Sequence, residues 1–328
     1  MNYREPPVDA VDESADEADD ASPEVRHTDV DMSCHGQRLD KFVSQWVPEF
    51  SRSHLQSLIE AGHVTVDGLL QKTPSRRVLA HQKVSIELVP TAQSQSFRPQ
   101  ALPLEIVYED DDLLIVNKGV GLVVHPAAGH WSGTLLNGLL AHHDGAQSLP
   151  RAGIVHRLDK DTSGLMVVGK TLVSVTALTR AIAAREVHRQ YLAIAHGAMP
   201  TARMEIDAPI GRDPQSRVRM AVLASGKPAR TDVERLTVAH GFTTVRCTLH
   251  TGRTHQIRVH LASRGLPLVA DVVYGGKPAL ALMRQALHAT VLSFAHPRTG
   301  ERMAWRAPPP RDFQHAWQQV DPQGQPWL

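Results

Sequence analysis

Residues 154–164 read IVHRLDKDTSG, and residues 251–260, about a hundred positions later, read TGRTHQIRVH. Each block places ionisable side chains directly beside short apolar stretches. A folded core offers few places for such charge clusters, and active sites are one of them. The two blocks therefore predict one polar site that is assembled from distant parts of the chain.

The bulk composition is typical of a globular protein with one to three domains. The chain has 328 residues, of which 42% are apolar and 21% charged. Its longest apolar runs, such as 220–224, have five residues, whereas a membrane-spanning helix needs roughly 20. The N-terminus has no basic segment followed by an apolar one. Cys34 and Cys247 are the two cysteines, and neither lies in a CxxC motif. We therefore expect a cytoplasmic protein with no membrane association.

The net charge of +1 conceals an uneven distribution. Residues 1–31 contain eleven Asp or Glu and two Arg, a net charge of −9, which leaves 33 basic and 23 acidic residues and a net charge of +10 for the rest. A basic body favours a polyanion such as RNA, although ordinary solubility charge is the alternative. Because the acidic segment is poor in large apolar residues, residues 1–33 are predicted to be a disordered tail.

Residues 34–90 are predicted to form a small α/β module. Apolar residues recur at helical spacing from Leu39 to Trp46, Ser51 is placed to cap a second helix, and Gly62 to end it. Short strands are predicted around 64–66, at Val78 and over 84–88. The pattern resembles the S4 RNA-binding domain, and an ordinary helix–helix–strand unit is the alternative. The side chains expected to contact RNA phosphates include Arg38, Lys41 and Arg52.

Residues 90–103 contain three prolines with Ser, Gln and Thr between them, so residues 91–100 are predicted to be a linker and residues 101–328 a second domain. Strand patterns there do not alternate regularly with long helices. The fold class predicted is α+β, with a mixed, mostly antiparallel sheet and flanking helices.

Three other motifs point to functions that the sequence does not support. Residues 164–171 match the phosphate-loop pattern GxxxxGK[ST], but their centre is Leu-Met-Val-Val, which favours a buried strand. Residues 161–164 resemble part of an aspartic protease motif, but no second copy occurs. The 19 histidines show no paired ligand spacing, so no metal is predicted.

Within the first block, Asp159 is the candidate nucleophile or base, and a structural salt bridge is the alternative. In the second block, Gly252 permits a tight turn, and Thr254 is expected to cap a helix that runs to Ala262. Arg258, next to the buried Ile257, is placed to reach a partly buried carboxylate and keep it ionised. Arg253, His255 and His260 remain available for phosphates or bases.

Together these blocks resemble the RluA/RluD-type pseudouridine synthases, and further segments extend the resemblance over nearly all of residues 36–310. The resemblance implies a pseudouridine synthase fold in which Asp159, of the HRLDxxTSG motif, is catalytic. It implies that Tyr191 stacks on the target base, that Arg258 pairs with Asp159, and that Arg157 occupies the gap left by a flipped base. The residues expected to bind the RNA or its uracil are Arg157, His156, Thr162, Arg253, His255, Ile257, Arg38, Lys41 and Arg52.

The implied reaction is isomerisation of uridine to pseudouridine in RNA, without a cofactor. Large-subunit (23S) ribosomal RNA is the expected substrate and partner, and the protein is expected to act as a monomer. Two alternatives stay open: the same reaction on transfer RNA, and a non-catalytic RNA-binding or ribosome-assembly role. One departure from the family pattern is visible, because Ala270-Asp271 stands where members usually have Gly-Asp. Alanine should be tolerated there unless the position needs a positive φ.

Overall fold

The computed structural model describes residues 24–89, 94–127, 129–216 and 218–327. The chain divides into two compact units, with the boundary after Ser94. Most of the predicted disordered tail therefore lies outside the described residues.

The N-terminal unit is a four-stranded antiparallel sheet with two helices, in the strand order β1-β4-β2-β3. Its elements are β1 (Glu24–Asp29), α1 (Leu39–Trp46), α2 (Arg52–Ala61), β2 (Val64–Val66), β3 (Leu69–Gln71) and β4 (Lys83–Leu88). Both predicted boundaries of α2 are confirmed: the Ser51 hydroxyl accepts the His54 N–H, and Gly62 ends the helix at φ +91°.

Two predictions for this unit are wrong. Residues 24–33 are not part of a disordered tail, because β1 pairs with β4 over six residues and Val30 is buried. Strand β1 lies at the sheet edge with mostly exposed side chains, so its charged composition does not oppose pairing. Val78 is buried but lies in a loop rather than in a strand.

The C-terminal unit is built on one mixed sheet in the order β5-β6-β7-β14-β8-β13-β12-β9, with β15 paired to β14. The β7–β14 pair is parallel and the other pairs of this sheet are antiparallel. This confirms the predicted α+β class. Its strands are β5 (Ile106–Glu109), β6 (Leu113–Lys118), β7 (Ser163–Gly169), β8 (His188–His196), β9 (Arg203–Asp207), β12 (Arg230–Ala239), β13 (Phe242–Leu249), β14 (Leu287–Ala295) and β15 (Arg302–Arg306), and β10 (Ile210–Arg212) with β11 (Met220–Val222) forms a separate hairpin.

Four helices accompany this sheet: α3 (Leu135–His142), α4 (Leu172–Ala183), α5 (Gln256–Ser263) and α6 (Arg311–Val320). The predicted linker ends earlier than residue 100. The Asn137 side chain of α3 donates to the carbonyls of Ser96 and Arg98, and the Asn137 backbone carbonyl accepts the Gln100 N–H. These hydrogen bonds attach residues 96–100 to the C-terminal unit, because a buried Asn has polar groups to satisfy.

Residues 163–169, which match most of the phosphate-loop pattern, form the fully buried strand β7, as the apolar centre of the pattern predicts. Gly164 has φ +118°, and a Cβ there would lie 2.2 Å from the Ala289 carbonyl oxygen. Glycine is therefore required for the parallel pairing of β7 with β14 directly after the HRLD segment.

Successive side chains of β8 point to opposite faces of the sheet and enter two different core clusters. Tyr191, Ala193 and Ala195 pack into the layer that contains Leu158 and Ile257. The intervening residues Leu192 and Ile194 belong to a second core cluster, which also contains the buried residues of α6. Among the described residues, no helix has the length and apolar character needed to cross a membrane.

Candidate active site

The segment that carries Asp159 is a tight loop immediately before β7. The Thr162 N–H donates to the Asp159 carbonyl at 3.1 Å and closes the turn. Lys118, at the end of β6, is buried beneath the loop and donates to the carbonyls of Gly119, Leu122 and Lys160 at 2.8, 3.0 and 2.9 Å. Burial lowers the pKa of Lys118 to about 8, and the three carbonyl acceptors favour its charged form.

Helix α5 carries the second block. It begins at Gln256, and His255, in the left-handed region at φ +56°, is its N-cap residue. The prediction that Thr254 caps this helix is therefore wrong. Instead, the Gln256 side chain holds the loop that precedes the helix, because its carbonyl oxygen accepts hydrogen bonds from the Thr251 hydroxyl and the Arg253 N–H.

Arg258, on α5, joins two carboxylates. Its Nη1 donates to Asp159 Oδ2 at 2.9 Å, while Nε and Nη2 donate to the two oxygens of Asp271 at 2.7 and 2.9 Å. The side chains of Arg258 and Asp271 are 6% and 1% exposed. Burial opposes the charge on Arg258, but the two carboxylates outweigh it and raise its pKa. The pair with Asp271 fixes the guanidinium, and Arg258 in turn orients Asp159.

Tyr274 contacts both Arg258 and His255, the two side chains that face Asp159. Its ring lies 5.1 Å from the Arg258 guanidinium carbon, and its hydroxyl accepts the Met220 N–H at 2.9 Å. The same hydroxyl is 2.8 Å from His255 Nδ1, to which it can donate its proton. His255 Nε2 then faces Asp159 Oδ1 at 3.8 Å. Burial lowers the pKa of His255, although Asp159 opposes this.

Asp159 opens onto a cavity of about 580 Å³, a volume within the range of ligand-binding pockets. Tyr191 is 5% exposed and lines this cavity from β8. Burial raises the pKa of its phenol, which therefore presents a neutral aromatic ring at neutral pH. Six arginines and one carboxylate, that of Asp159, occur among the described residues that line the cavity. The cavity thus combines a single anion with an excess of cations.

The remaining predicted residues of this unit also line the cavity. Arg157 is exposed there, and Ile257 contributes an apolar wall. His156 Nε2 accepts the Val167 N–H, which anchors the ring to β7. The Thr162 hydroxyl accepts a hydrogen bond from Gln285, so Thr162 is held within the protein. Arg253 Nε donates to the Pro228 carbonyl.

His260 was expected to be available for phosphates or bases, and this expectation is wrong. It is fully buried, with Nδ1 2.8 Å from the Thr231 hydroxyl and Nε2 2.9 Å from the Ala208 carbonyl. Both ring nitrogens are therefore occupied by structural hydrogen bonds.

In the N-terminal unit, Arg38 and Arg52 share the buried carboxylate of Asp40. Arg38 donates to both carboxylate oxygens, at 3.0 and 3.1 Å, and Arg52 donates to Oδ2 at 2.8 Å. The hydrogen bond from Arg38 and the interactions with Arg52 and Gln56 hold the pKa of Asp40 far below its ordinary value. Both arginine side chains remain about half exposed, and Lys41 beside them is exposed. Asp40 thus orients two cations that still face solvent.

Sequence reasoning did not assign functional roles to Lys118, Asp271, Tyr274 and Arg189. Asp271 and Tyr274 stand in segments that contributed to the family resemblance, but their pairing with Arg258 and His255 depends on the tertiary fold. The signal for Lys118 was a lysine at the end of an apolar strand, which is more often a solvated strand end.

Among the described residues, Asp110, Asp112 and His296 form one group that could hold a metal ion. The N–H groups of Arg298 and Thr299 donate to His296 Nδ1, so Nε2 carries the proton in the neutral ring and donates to Asp110. Asp110 also accepts from the Tyr108 hydroxyl and two backbone N–H groups. These bonds explain the group as a structural network that closes the β5–β6 turn.

Comparison with known proteins identifies the class to which this fold and site belong. A family model described as RNA pseudouridylate synthase matches residues 112–263, and the S4 domain model matches residues 37–84. The human RNA Pseudouridylate Synthase Domain Containing 1 aligns with a TM-score of 0.51 and 27% identity, over 68% of this chain and 86% of that chain. The chain belongs to the RNA pseudouridylate synthase family, and it is an enzyme of that class with an N-terminal S4 domain.

Its relatives include proteins named ribosomal large subunit pseudouridine synthase D. The protein from Pseudomonas aeruginosa is 47% identical over 302 residues, which cover 88% of this chain and 93% of the relative. The protein from Pasteurella multocida is 46% identical over 298 residues, which cover 87% and 91%. The similarity thus includes nearly the full length of these relatives.

Proposed function

We propose that this enzyme converts specific uridines of large-subunit ribosomal RNA to pseudouridine, acting as a cytoplasmic monomer, with Asp159 as the catalytic carboxylate. The observation that carries the assignment of Asp159 is that, among the described residues lining this arginine-rich cavity, it supplies the single carboxylate. The names of the full-length relatives support ribosomal RNA as the substrate.

The reaction breaks the bond between uracil N1 and the ribose C1′, turns the base, joins C5 to the same C1′ and releases the proton from C5. Asp159 supplies a negative charge at the sugar, either as a nucleophile or as a base. Arg258 occupies Oδ2 of Asp159, whereas Oδ1 lies 3.8 Å from His255. We therefore assign Oδ1 to the substrate.

The flat ring of Tyr191 is suited to retain the detached uracil. Because its phenol stays neutral, it can stack on the base without adding charge near Asp159. Arg157, exposed at the cavity and two residues before Asp159, is suited to occupy the space that the flipped nucleotide leaves. The base must leave its stack, which costs a few kcal/mol, and such contacts offset that cost.

We expect the S4 domain to contribute RNA affinity in addition to the contacts made by the active-site cavity. Arg38, Arg52 and Lys41 form a cationic group around Asp40, and we propose that they bind backbone phosphates. Substitution of Lys41 by Met should weaken RNA binding about uniformly across sequences and reduce its salt dependence, without changing the rate at saturating RNA.

The direct test is Asp159→Asn, which keeps the shape of the side chain and removes its charge. Tritium release from RNA labelled at uridine C5 should become undetectable, while RNA binding and the melting temperature stay close to those of the parent enzyme. Asp161→Asn is the matched control, because Asp161 is a nearby carboxylate outside the cavity lining, and it should remain active. Normal tritium release by the Asp159 variant would refute the assignment.

The substrate assignment needs a separate measurement. Modified uridines should be mapped in cellular RNA from cells with and without this protein. Loss of pseudouridine from large-subunit ribosomal RNA supports the proposal. Loss confined to transfer RNA would show that the enzyme carries out the same reaction on transfer RNA instead.

A further inference from the structure

Arg189 is a buried cation with no protein partner among the described residues. It lies on β8 with 5% of its surface exposed, and its Nε is buried without a hydrogen-bond partner. In the described part of the chain, no carboxylate comes within salt-bridge distance of it. The other buried arginines, Arg258 and Arg284, each bind an aspartate. A charge left unpaired in a protein interior is costly, so this arrangement requires an explanation.

Arg189 lines the active-site cavity, and the fold makes room for it there. Arg189 and Tyr191 are two residues apart on one strand, so their side chains leave the same face about 6.5–7 Å apart. Gly252 lies opposite, and a Cβ at that position would be 2.9 Å from Arg189 Nη1. The guanidinium is therefore next to the site of the stacked base, in a space that a larger residue at 252 would obstruct.

Two further unpartnered polar atoms of the described residues line the same cavity: His156 Nδ1 and His125 Nε2. Burial lowers the pKa of His156 to about 3, with Arg189 contributing, and burial lowers that of His125 to about 4. Both rings are neutral at pH 7 and cannot neutralise Arg189. Because His156 Nε2 accepts a backbone hydrogen bond, its Nδ1 carries the proton and is a free donor. Two donor groups of this cavity, Arg189 Nε and His156 Nδ1, therefore have no hydrogen-bond partner among the described residues.

We propose that Arg189, assisted by the N–H of His156, binds a backbone phosphate that flanks the target uridine. This rests on the proposed RNA-modifying function and adds a phosphate subsite to it. A buried guanidinium needs a full negative charge to compensate it, and RNA supplies one with each phosphate, whereas the uracil base is neutral. The cost of the unpaired charge in the free enzyme is offset only when RNA binds.

The first test uses Arg189→Met, which keeps much of the side-chain length and removes the charge. The RNA-free variant should melt at the same temperature as the parent or higher, because an uncompensated buried charge has been removed. Its affinity for an RNA hairpin that the parent modifies should fall about 10- to 100-fold, as expected for a charge-assisted contact. The slope of log affinity against log salt should decrease by about 0.7–0.9. Arg302→Met, which removes an exposed arginine outside the cavity, is the control and should change none of these properties.

The second test identifies the phosphate. Single phosphates around the target uridine are replaced, one at a time, by neutral methylphosphonates. At one linkage the methylphosphonate should lower the affinity of the parent enzyme, whereas it should not lower the affinity of Arg189→Met any further. Equal sensitivity of both proteins at every linkage would overturn the proposal, as would a lower melting temperature or an unchanged salt slope in Arg189→Met. These are binding and melting measurements, so they are distinct from failure of the parent enzyme to release tritium, which would refute the proposed function itself.

Discussion

Arg258 offers a test that separates the stability of the site from its chemistry. Its guanidinium makes three hydrogen bonds of 2.7–2.9 Å to two carboxylates, and its side chain is almost fully buried. Arg258→Met removes all three and leaves the Asp271 charge in the interior without a cation. Breaking a buried ion pair on one side costs about 3–5 kcal/mol of unfolding free energy. We therefore expect a loss of about that size, together with loss of activity because Asp159 is no longer oriented.

Adding Asp271→Asn to this variant should restore stability but not catalysis. The neutral amide removes the uncompensated charge, so about 2 kcal/mol or more of the lost unfolding free energy should return, in line with the near-neutral effect of replacing both members of a buried pair. Tritium release should stay at the level of Arg258→Met. Arg258→Lys keeps a charge but cannot form the three-way set of hydrogen bonds, and it should recover little activity.

The measurements are urea unfolding, compared by midpoint for the transition of the C-terminal unit, and tritium release from uridine-labelled RNA. A double variant no more stable than Arg258→Met would show that the Arg258–Asp271 contact contributes little coupling energy. Full activity in Arg258→Met would show that Asp159 does not depend on this arginine. Either outcome would refute the reasoning.

Three further predictions concern the scaffold. Burial lowers the pKa of His288 to about 4, below the 6.5 expected in the unfolded chain, so the contribution of His288 to stability is complete above pH 6.5 and falls by about 3 kcal/mol as the pH drops toward 4. In His288→Asn, the loss of stability with falling pH, followed by circular dichroism, should therefore be less steep between pH 6.5 and 4. An unchanged profile would contradict this. Gly164→Ala would place a methyl group against the Ala289 backbone at positive φ, and we expect a loss of more than 4 kcal/mol or no folded protein, whereas near-normal melting would be incompatible with the parallel β7–β14 contact. Deleting residues 1–30 removes β1 and the buried Val30 and should destabilise the N-terminal unit by about 2 kcal/mol or more. Deleting residues 1–23 leaves those contacts intact and is the control. Equal urea midpoints for the two truncations would rule out a stabilising role for β1.

The sequence predicts features that have a local physical cause. Helix α2 has a serine that accepts the first-turn hydrogen bond and a glycine that adopts positive φ, and both boundaries follow from those residues. The apolar run 165–168 predicts a buried strand despite the phosphate-loop letters. By contrast, β1 was missed because its charged side chains indicate solvent exposure, and an edge strand satisfies that pattern while still pairing its backbone.

The parts of the site that the sequence does not reveal are those made by non-local pairing. The second block identifies Arg258, but only the fold shows that Asp271 binds two of its nitrogens. The departure at Ala270 illustrates the same point: Ala270 has φ +59°, so the condition under which alanine would be unfavourable is met. The positive φ lies in the turn that delivers Asp271 to Arg258. A small residue such as alanine adopts that conformation at a modest cost in conformational free energy, and the adjacent buried Arg258–Asp271 ion pair offsets this cost.

Arg189 shows why an unpaired charge is the hardest functional feature to predict from sequence. An arginine two residues before a tyrosine in a strand pattern is typically a solvated side chain, and nothing in the neighbouring letters distinguishes it. Its significance comes from what is missing around it, because no carboxylate of the described residues lies within salt-bridge distance of it and its Nε has no hydrogen-bond partner there. Asp159 is already held by Arg258, so the protein cannot neutralise Arg189 without giving up the orientation of its own carboxylate. The charge that compensates Arg189 must therefore arrive with the ligand, and an RNA chain brings that charge next to every base.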